Sequence, residues 1–251
     1  MMIITDPFFY LVAIPAVILT GISKGGFGSA FGGISVPLMA LAISPMQAAA
    51  ILLPVLCFMD LVGFRAYYGK WDLANLKIMV PGALCGIVIG SLTFGSIREA
   101  YVRIAVGGIA VLFTLHQWLN LASRQAPASR SVAKGAFWSG VSGLTSFLAH
   151  AGGPPAQVYM LPQRMEKTTY VATVNLFFMI VNMVKLVPYA WLGQFSSANL
   201  STALLLSPFV PVGVSLGMWL QKQAATVWFY RIARVCLLLT GLQLIYQGTV
   251  A

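Results

Sequence analysis

The sequence predicts an all-α polytopic membrane protein of two inverted repeats, each a broken or re-entrant helix pair followed by three full-length transmembrane helices. Three observations carry this. First, 15 residues are Lys or Arg and 5 are Asp or Glu in a chain of 251, so 8% are charged while 59% are hydrophobic. An ordinary soluble domain carries about 25% charged residues, and with a mean hydropathy of +0.87 this chain could not coat a globule with them. Second, the chain repeats itself. Gly32-Gly33 recurs as Gly152-Gly153, Phe58-Met59 as Phe178-Met179, and Arg65 as Lys185. Ala74-Asn75-Leu76 recurs as Ala198-Asn199-Leu200, Pro81, Gly86 and Gly90 as Pro208, Gly213 and Gly217, and Arg103-Ile104-Ala105 as Arg231-Ile232-Ala233. Third, each half opens with short apolar stretches interrupted by glycine.

The elements follow in order. Stretches 7–22 and 33–43 are short, and Gly25-Gly26-Phe27-Gly28 through Gly32-Gly33 joins them. A bilayer core needs about 20 helical residues, so these read as half-spans around a break. Stretches 45–67, 73–95 and 100–121 are long enough to cross. The second half repeats the plan with 135–149 and 154–162 around Gly152-Gly153-Pro154-Pro155, then 168–190, 200–220 and 224–247. The expected division is a first membrane repeat at 1–123, a cytoplasmic linker at 124–134 and a second membrane repeat at 135–251. The N-terminal MMIITDPFFYLV lacks a basic region and a small-residue cleavage site, so the first helix is expected to be retained.

If each broken pair ends on the side where it began, each half crosses an odd number of times and the repeats are inverted. Arg65, Lys70, Lys77, Arg124, Arg130, Lys134, Arg164, Lys167, Lys222, Arg231 and Arg234 then share one face, against Arg98, Arg103 and Lys185 on the other. This bias places the first face in the cytoplasm and both termini outside. It also accounts for the net charge of +10 without nucleic acid as a partner. Cys57, Cys85 and Cys236 lie in apolar runs without metal-ligand spacing and read as packed free thiols. Neither a metal nor a cofactor is expected.

Paired broken helices bring helix termini and bare backbone to the bilayer midplane, an arrangement suited to small anions. Lys24, Gly25, Gly26, Ser29, Gly32, Gly33 and Ser35 are the candidates from the first break. Thr145, Ser146, His150, Gly152, Gly153 and Gln157 are those from the second, with Asn175 on the helix that follows. Asp60, alone among the acidic residues well inside a long apolar segment, is expected either to carry a proton or to pair with Arg65. His150 is a second candidate for proton coupling. Asn182 reads as polar glue between helices.

The patterns GISKGGFGSAFGGISVPLMAL and SGVSGLTSFLAHAGGPPAQVYML make the chain resemble, over essentially its whole length, the TauE/SafE family of sulfite and organosulfonate exporters. The resemblance implies secondary transport of a small sulfur-containing or carboxylate anion, coupled to protons or driven by the substrate gradient, in a bacterial inner membrane. It does not fix the anion, the direction of flux or the oligomeric state. Two rivals stand beside a carrier. An anion channel would use the same cavity. Gly140-Val141-Ser142-Gly143 matches the G-x-S-G of rhomboid intramembrane proteases, with His116 or His150 as base, but four-residue matches are cheap among 24 glycines and an enzyme is not expected.

Overall fold

The computed structural model describes residues 3–27, 32–94, 96, 98–119, 128–222 and 226–250. The elements are α1 (Pro7–Phe27), a 3-10 turn (Gly32–Ile34), α2 (Ser35–Met39), α3 (Pro45–Ala66), α4 (Leu73–Phe94), α5 (Glu99–Trp118), α6 (Val132–Ala149), α7 (Gly153–Met160), a second 3-10 turn (Leu161–Gln163), α8 (Lys167–Trp191), α9 (Ser197–Leu206), α10 (Phe209–Lys222) and α11 (Thr226–Val250). No strand occurs among the described residues. The starts are written locally: Ser44 Oγ accepts from Gln47 N at 3.2 Å ahead of Pro45, and Ser196 Oγ from Asn199 N at 3.2 Å. Glu166 accepts from Thr169 N at 2.8 Å. Each supplies an acceptor to the unpaired N–H groups of a first turn. Those backbone bonds to Thr168 and Thr169 hold the exposed Glu166 carboxyl down at about 2.

Two expectations about the helices are corrected. The first helix is 21 residues long and runs through Gly25 and Gly26 to Phe27, so it is long enough to cross rather than a half-span. The broken pairs are therefore unequal, a long α1 with a 5-residue α2 and an 18-residue α6 with an 8-residue α7. The stretch at 200–220 is not one helix. Pro208, which has no N–H to continue the ladder, separates Ser197–Leu206 from Phe209–Leu220, and the two segments are bent by 44°. Among the described residues, four helices, Pro7–Phe27, Pro45–Ala66, Leu73–Thr93 and Thr168–Trp191, are long and apolar enough to cross a membrane, and the bent pair makes a fifth candidate.

Helices pack mainly across the halves: α1 on α10, α4 on α6, α5 on α11 and α3 on α8. Glycine faces allow the first two pairs to approach closely. A Cβ on Gly213 would sit 2.7 Å from Ile18 O and 3.1 Å from Gly21 Cα, and one on Gly86 would sit 2.7 Å from Leu144 N. The core lies between α3 and α8, where Leu52, Leu53, Met59, Phe177 and Val181 are buried. Leu11, Leu92, Leu112, Trp191 and Leu239 are exposed, the apolar exterior of a chain dissolved in lipid.

One end of the bundle is stitched by polar side chains. Arg130 Nη2 pairs with Asp72 Oδ2 at 2.8 Å, Asn75 Nδ2 donates to Gln163 Oε1 at 2.9 Å, and Tyr159 OH donates to Asn75 Oδ1 at 2.9 Å. Asn199, the repeat counterpart of Asn75, accepts from Gln47 Nε2 at 3.3 Å. Asn75 thus ties the start of α4 to the 3-10 turn after α7, and Asn199 ties the start of α9 to the first turn of α3. Cys57 is buried, but Cys85 is exposed on α4 rather than packed; the Cys236 side chain lies outside the described residues.

Candidate functional site

The site lies where the end of α1 and the break after α6 meet the facing surfaces of α3 and α8. In the last turn of α1, Lys24 reaches Asp60 on α3 and forms an ion pair with it. The second oxygen of Asp60 accepts from Asn182 Nδ2 on α8 at 2.6 Å. Asp60 therefore pairs with Lys24 and not with Arg65, which is exposed near the end of α3. The carbonyls ending α1 are also held by side chains: Asn175 Nδ2 donates to Lys24 O at 3.2 Å, and Tyr67 OH to Gly25 O at 2.8 Å.

One turn beyond Asn182 on the same face of α8 sits Lys185, which is fully buried. This corrects its expected place among the charges of the outer face. Its ammonium donates to Ser146 O at 2.9 Å, Ser146 Oγ at 3.0 Å and His150 Nδ1 at 2.7 Å. His150 Nε2 faces Ala49 O at 2.8 Å. A carbonyl only accepts, so Nε2 carries the proton and Nδ1 offers its lone pair to Lys185. Among the described residues, no carboxylate lies within ion-pairing distance of Lys185.

The second break has a defined geometry. His150 caps α6 in the left-handed region, φ 50°, which is rare for a residue with a side chain. The turn is fastened by Ser142 Oγ donating to Gly152 O at 2.7 Å and Thr145 Oγ1 donating to Ala151 O at 3.2 Å. Gly152 has no room for a side chain, since a Cβ would meet Ser142 O at 2.6 Å. The two breaks touch: a Cβ on Gly33 would lie 3.1 Å from that of Ala151. Beside the second break, Lys24, Leu56, Ser146, His150, Gly153, Phe178 and Asn182 line a cavity of about 20 Å³. That is room for about one water. Gly153 begins α7, so a helix N-terminus with its partial positive charge lies at the wall.

Of the residues expected from sequence, Lys24, Ser146, His150 and Gly153 line this cavity. Gly25 and Gly26 face the α10 backbone, where a Cβ on Gly25 would meet Val214 C and Cα at 3.0 Å and one on Gly26 would meet Gly217 C at 2.9 Å; their missing side chains serve helix packing. Ser35 Oγ lies 2.6 Å from Thr20 Oγ1 and joins α2 to α1. Thr145 and Gly152 shape the break, Gln157 is buried in α7, and Asn175 supports the end of α1. Asn175 Oδ1 is buried without a hydrogen-bond partner among the described residues. Gly32 opens the 3-10 turn, while its immediate surroundings and all of Ser29 lie outside the described residues. Ser142 and His150 do not form a nucleophile–base pair here, because the serine hydroxyl is engaged by Gly152 O and both ring nitrogens are occupied.

Sequence reasoning missed Lys185, and gave Asn182 a structural task only. The available signal was the apolar run continuing through Val187, Pro188 and Trp191, which keeps Lys185 inside α8.

Comparison with curated proteins and with solved structures gives no match. The family model for the sulfite exporter TauE/SafE matches residues 13–244, which takes in both breaks, α3, α8 and every residue lining the cavity. The chain therefore belongs to the TauE/SafE sulfite exporter family, a family of membrane transporters.

Proposed function

We propose that the protein exports a small anion, such as sulfite, an organosulfonate or a related carboxylate, by alternating access. The observation that carries this is the pair of buried lysines, Lys24 lining and Lys185 standing behind a cavity at the second helix break. Buried ammonium groups in an apolar bundle are costly unless paired or used, and an anion lodged between the breaks would use them. Lys24, Ser146, His150 and the start of α7 form its immediate surroundings, with Thr145 and Gly152 shaping the break beside them. Room for about one water is too small for a sulfite, so this reading requires the cavity to widen on loading.

The exchange of partners between halves, α1 with α10 and α4 with α6, supports an inverted-repeat architecture. The clustering of Asp72, Arg130 and Gln163 at one end supports a single cytoplasmic face there, with both termini outside. Asp60 is the proposed proton carrier. Its carboxylate is held between Lys24 and Asn182 at the edge of the site.

Purified protein in liposomes loaded with sulfite is the test. Saturable efflux that depends on a proton gradient and is lost in Lys185→Met supports a coupled carrier. Large single-channel anion currents would replace it with a channel, and the absence of any anion movement would remove the transport reading.

A further inference from the structure

The charges around the cavity do not balance. The titratable groups around it are Lys24 from α1 and His150 from the break after α6, which line it, with Asp60 and Cys57 from α3 and Lys185 from α8 beyond the lining. The Lys24–Asp60 pair cancels internally. His150 is held as the neutral Nε2–H form by Ala49 O. Lys185 has an acceptor for each of its three protons, but all three acceptors are uncharged: a backbone carbonyl, a hydroxyl and an imidazole nitrogen. Its charge reaches the cavity through Ser146 and His150, which line the wall that Lys185 itself does not touch.

We propose that the site presents one excess positive charge, carried by Lys185 through His150 and Ser146, and therefore selects singly charged anions over doubly charged ones. This rests on the transport reading and narrows it to a charge class: sulfonates, monocarboxylates and, of the two forms of sulfite, hydrogensulfite. A monoanion brings the buried cluster to neutrality. A dianion leaves one uncompensated negative charge in an apolar interior, which is strongly disfavoured. Asp60 enters as the residue that sets the count, since its negative charge already occupies Lys24.

Two ligands separate charge from shape. Methanesulfonate and thiosulfate are both tetrahedral about sulfur with three terminal oxygens, but the first carries one charge and the second two. Their binding to the purified full-length protein is measured by calorimetry near neutral pH. The wild type should hold methanesulfonate at least about tenfold more tightly than thiosulfate, and Lys185→Met should lower methanesulfonate affinity by about tenfold or more. Asp60→Asn, which raises the excess to two charges, should reverse the preference. Equal or tighter binding of thiosulfate by the wild type, or unchanged methanesulfonate affinity in Lys185→Met, overturns the proposal while leaving an anion site in place. The wild-type pair and Lys185→Met decide the matter even if Asp60→Asn does not fold. Failure of both ligands and of sulfite to bind or cross would overturn the transport reading together with it.

Discussion

The two halves place a lysine in the same site by different routes, and each lysine finds a different kind of partner. In the first half Lys24 comes from the last turn of the broken helix and meets a carboxylate. In the second half the broken helix ends in His150, and the ammonium comes from Lys185 on the long helix α8, with neutral acceptors only. The residue that repeats Lys185 in the first half is Arg65. It is exposed, because α3 ends at Ala66, one residue later, whereas α8 continues to Trp191. Little more than one added turn converts a helix-end charge into an interior one. Duplicated sequence therefore supplies matched scaffolding without matched chemistry, and the difference sits in where one helix stops.

Four measurements test this contrast. Lys24→Met strands Asp60 as a buried, unpaired carboxylate and should cost about 3–5 kcal/mol of stability, read by thermal unfolding in detergent. Adding Asp60→Asn should recover most of that loss but not transport. A single variant as stable as the wild type would show that the pair is not buried as described. Gly86→Ala and its repeat counterpart Gly213→Ala each push a methyl into the facing backbone and should each cost about 1–3 kcal/mol by overpacking. Clearly unequal losses would break the equivalence of the two cross-half seams. Lys185→Met leaves no carboxylate behind, only acceptors short of a donor, so its stability loss should stay within about 1–2 kcal/mol while anion flux disappears. A loss as large as that of Lys24→Met would erase the difference between the two lysines.

The smallest effect belongs to Glu166. Its carboxyl is held down at about 2, chiefly by the backbone N–H groups of Thr168 and Thr169. The folded value lies below the ordinary carboxyl value of 4.5, so the stabilisation is present above about pH 4.5 and fades as pH falls toward about 2. Glu166→Gln should lower the melting temperature slightly near neutral pH, and the gap to wild type should close on acidification. A gap that widens instead would contradict the cap.

The scaffold was legible because its signals are periodic or compositional. Apolar length fixed α3, α4 and α8 to within about two residues, and the repeated glycines marked the seams, although Gly25 and Gly26 serve packing rather than a ligand-facing break. The site was legible where a polar residue interrupts an apolar run with nothing nearby to explain it, as at Lys24, Asp60 and His150. It was not legible at Lys185, because a lysine near the apparent end of a helix looks the same whether the helix stops or continues. Nor could sequence give Asp60 its partner. Arg65 is five residues away along the chain, whereas Lys24 is 36 residues away, and only folding makes it the neighbour.

The glycine seams also bear on how the protein is assembled. The face of α1 that carries Gly21, Gly25 and Gly26 is covered by α10, which is synthesised almost 200 residues later. Until then that face has only lipid or transient neighbours against it, and α4 waits in the same way for α6. The first half is thus an incomplete solution of its own packing, and the order of synthesis makes the last third of the chain the step that locks the first helix. Chains expressed separately from 1–123 and 124–251 should be unstable alone and should complement each other when made together.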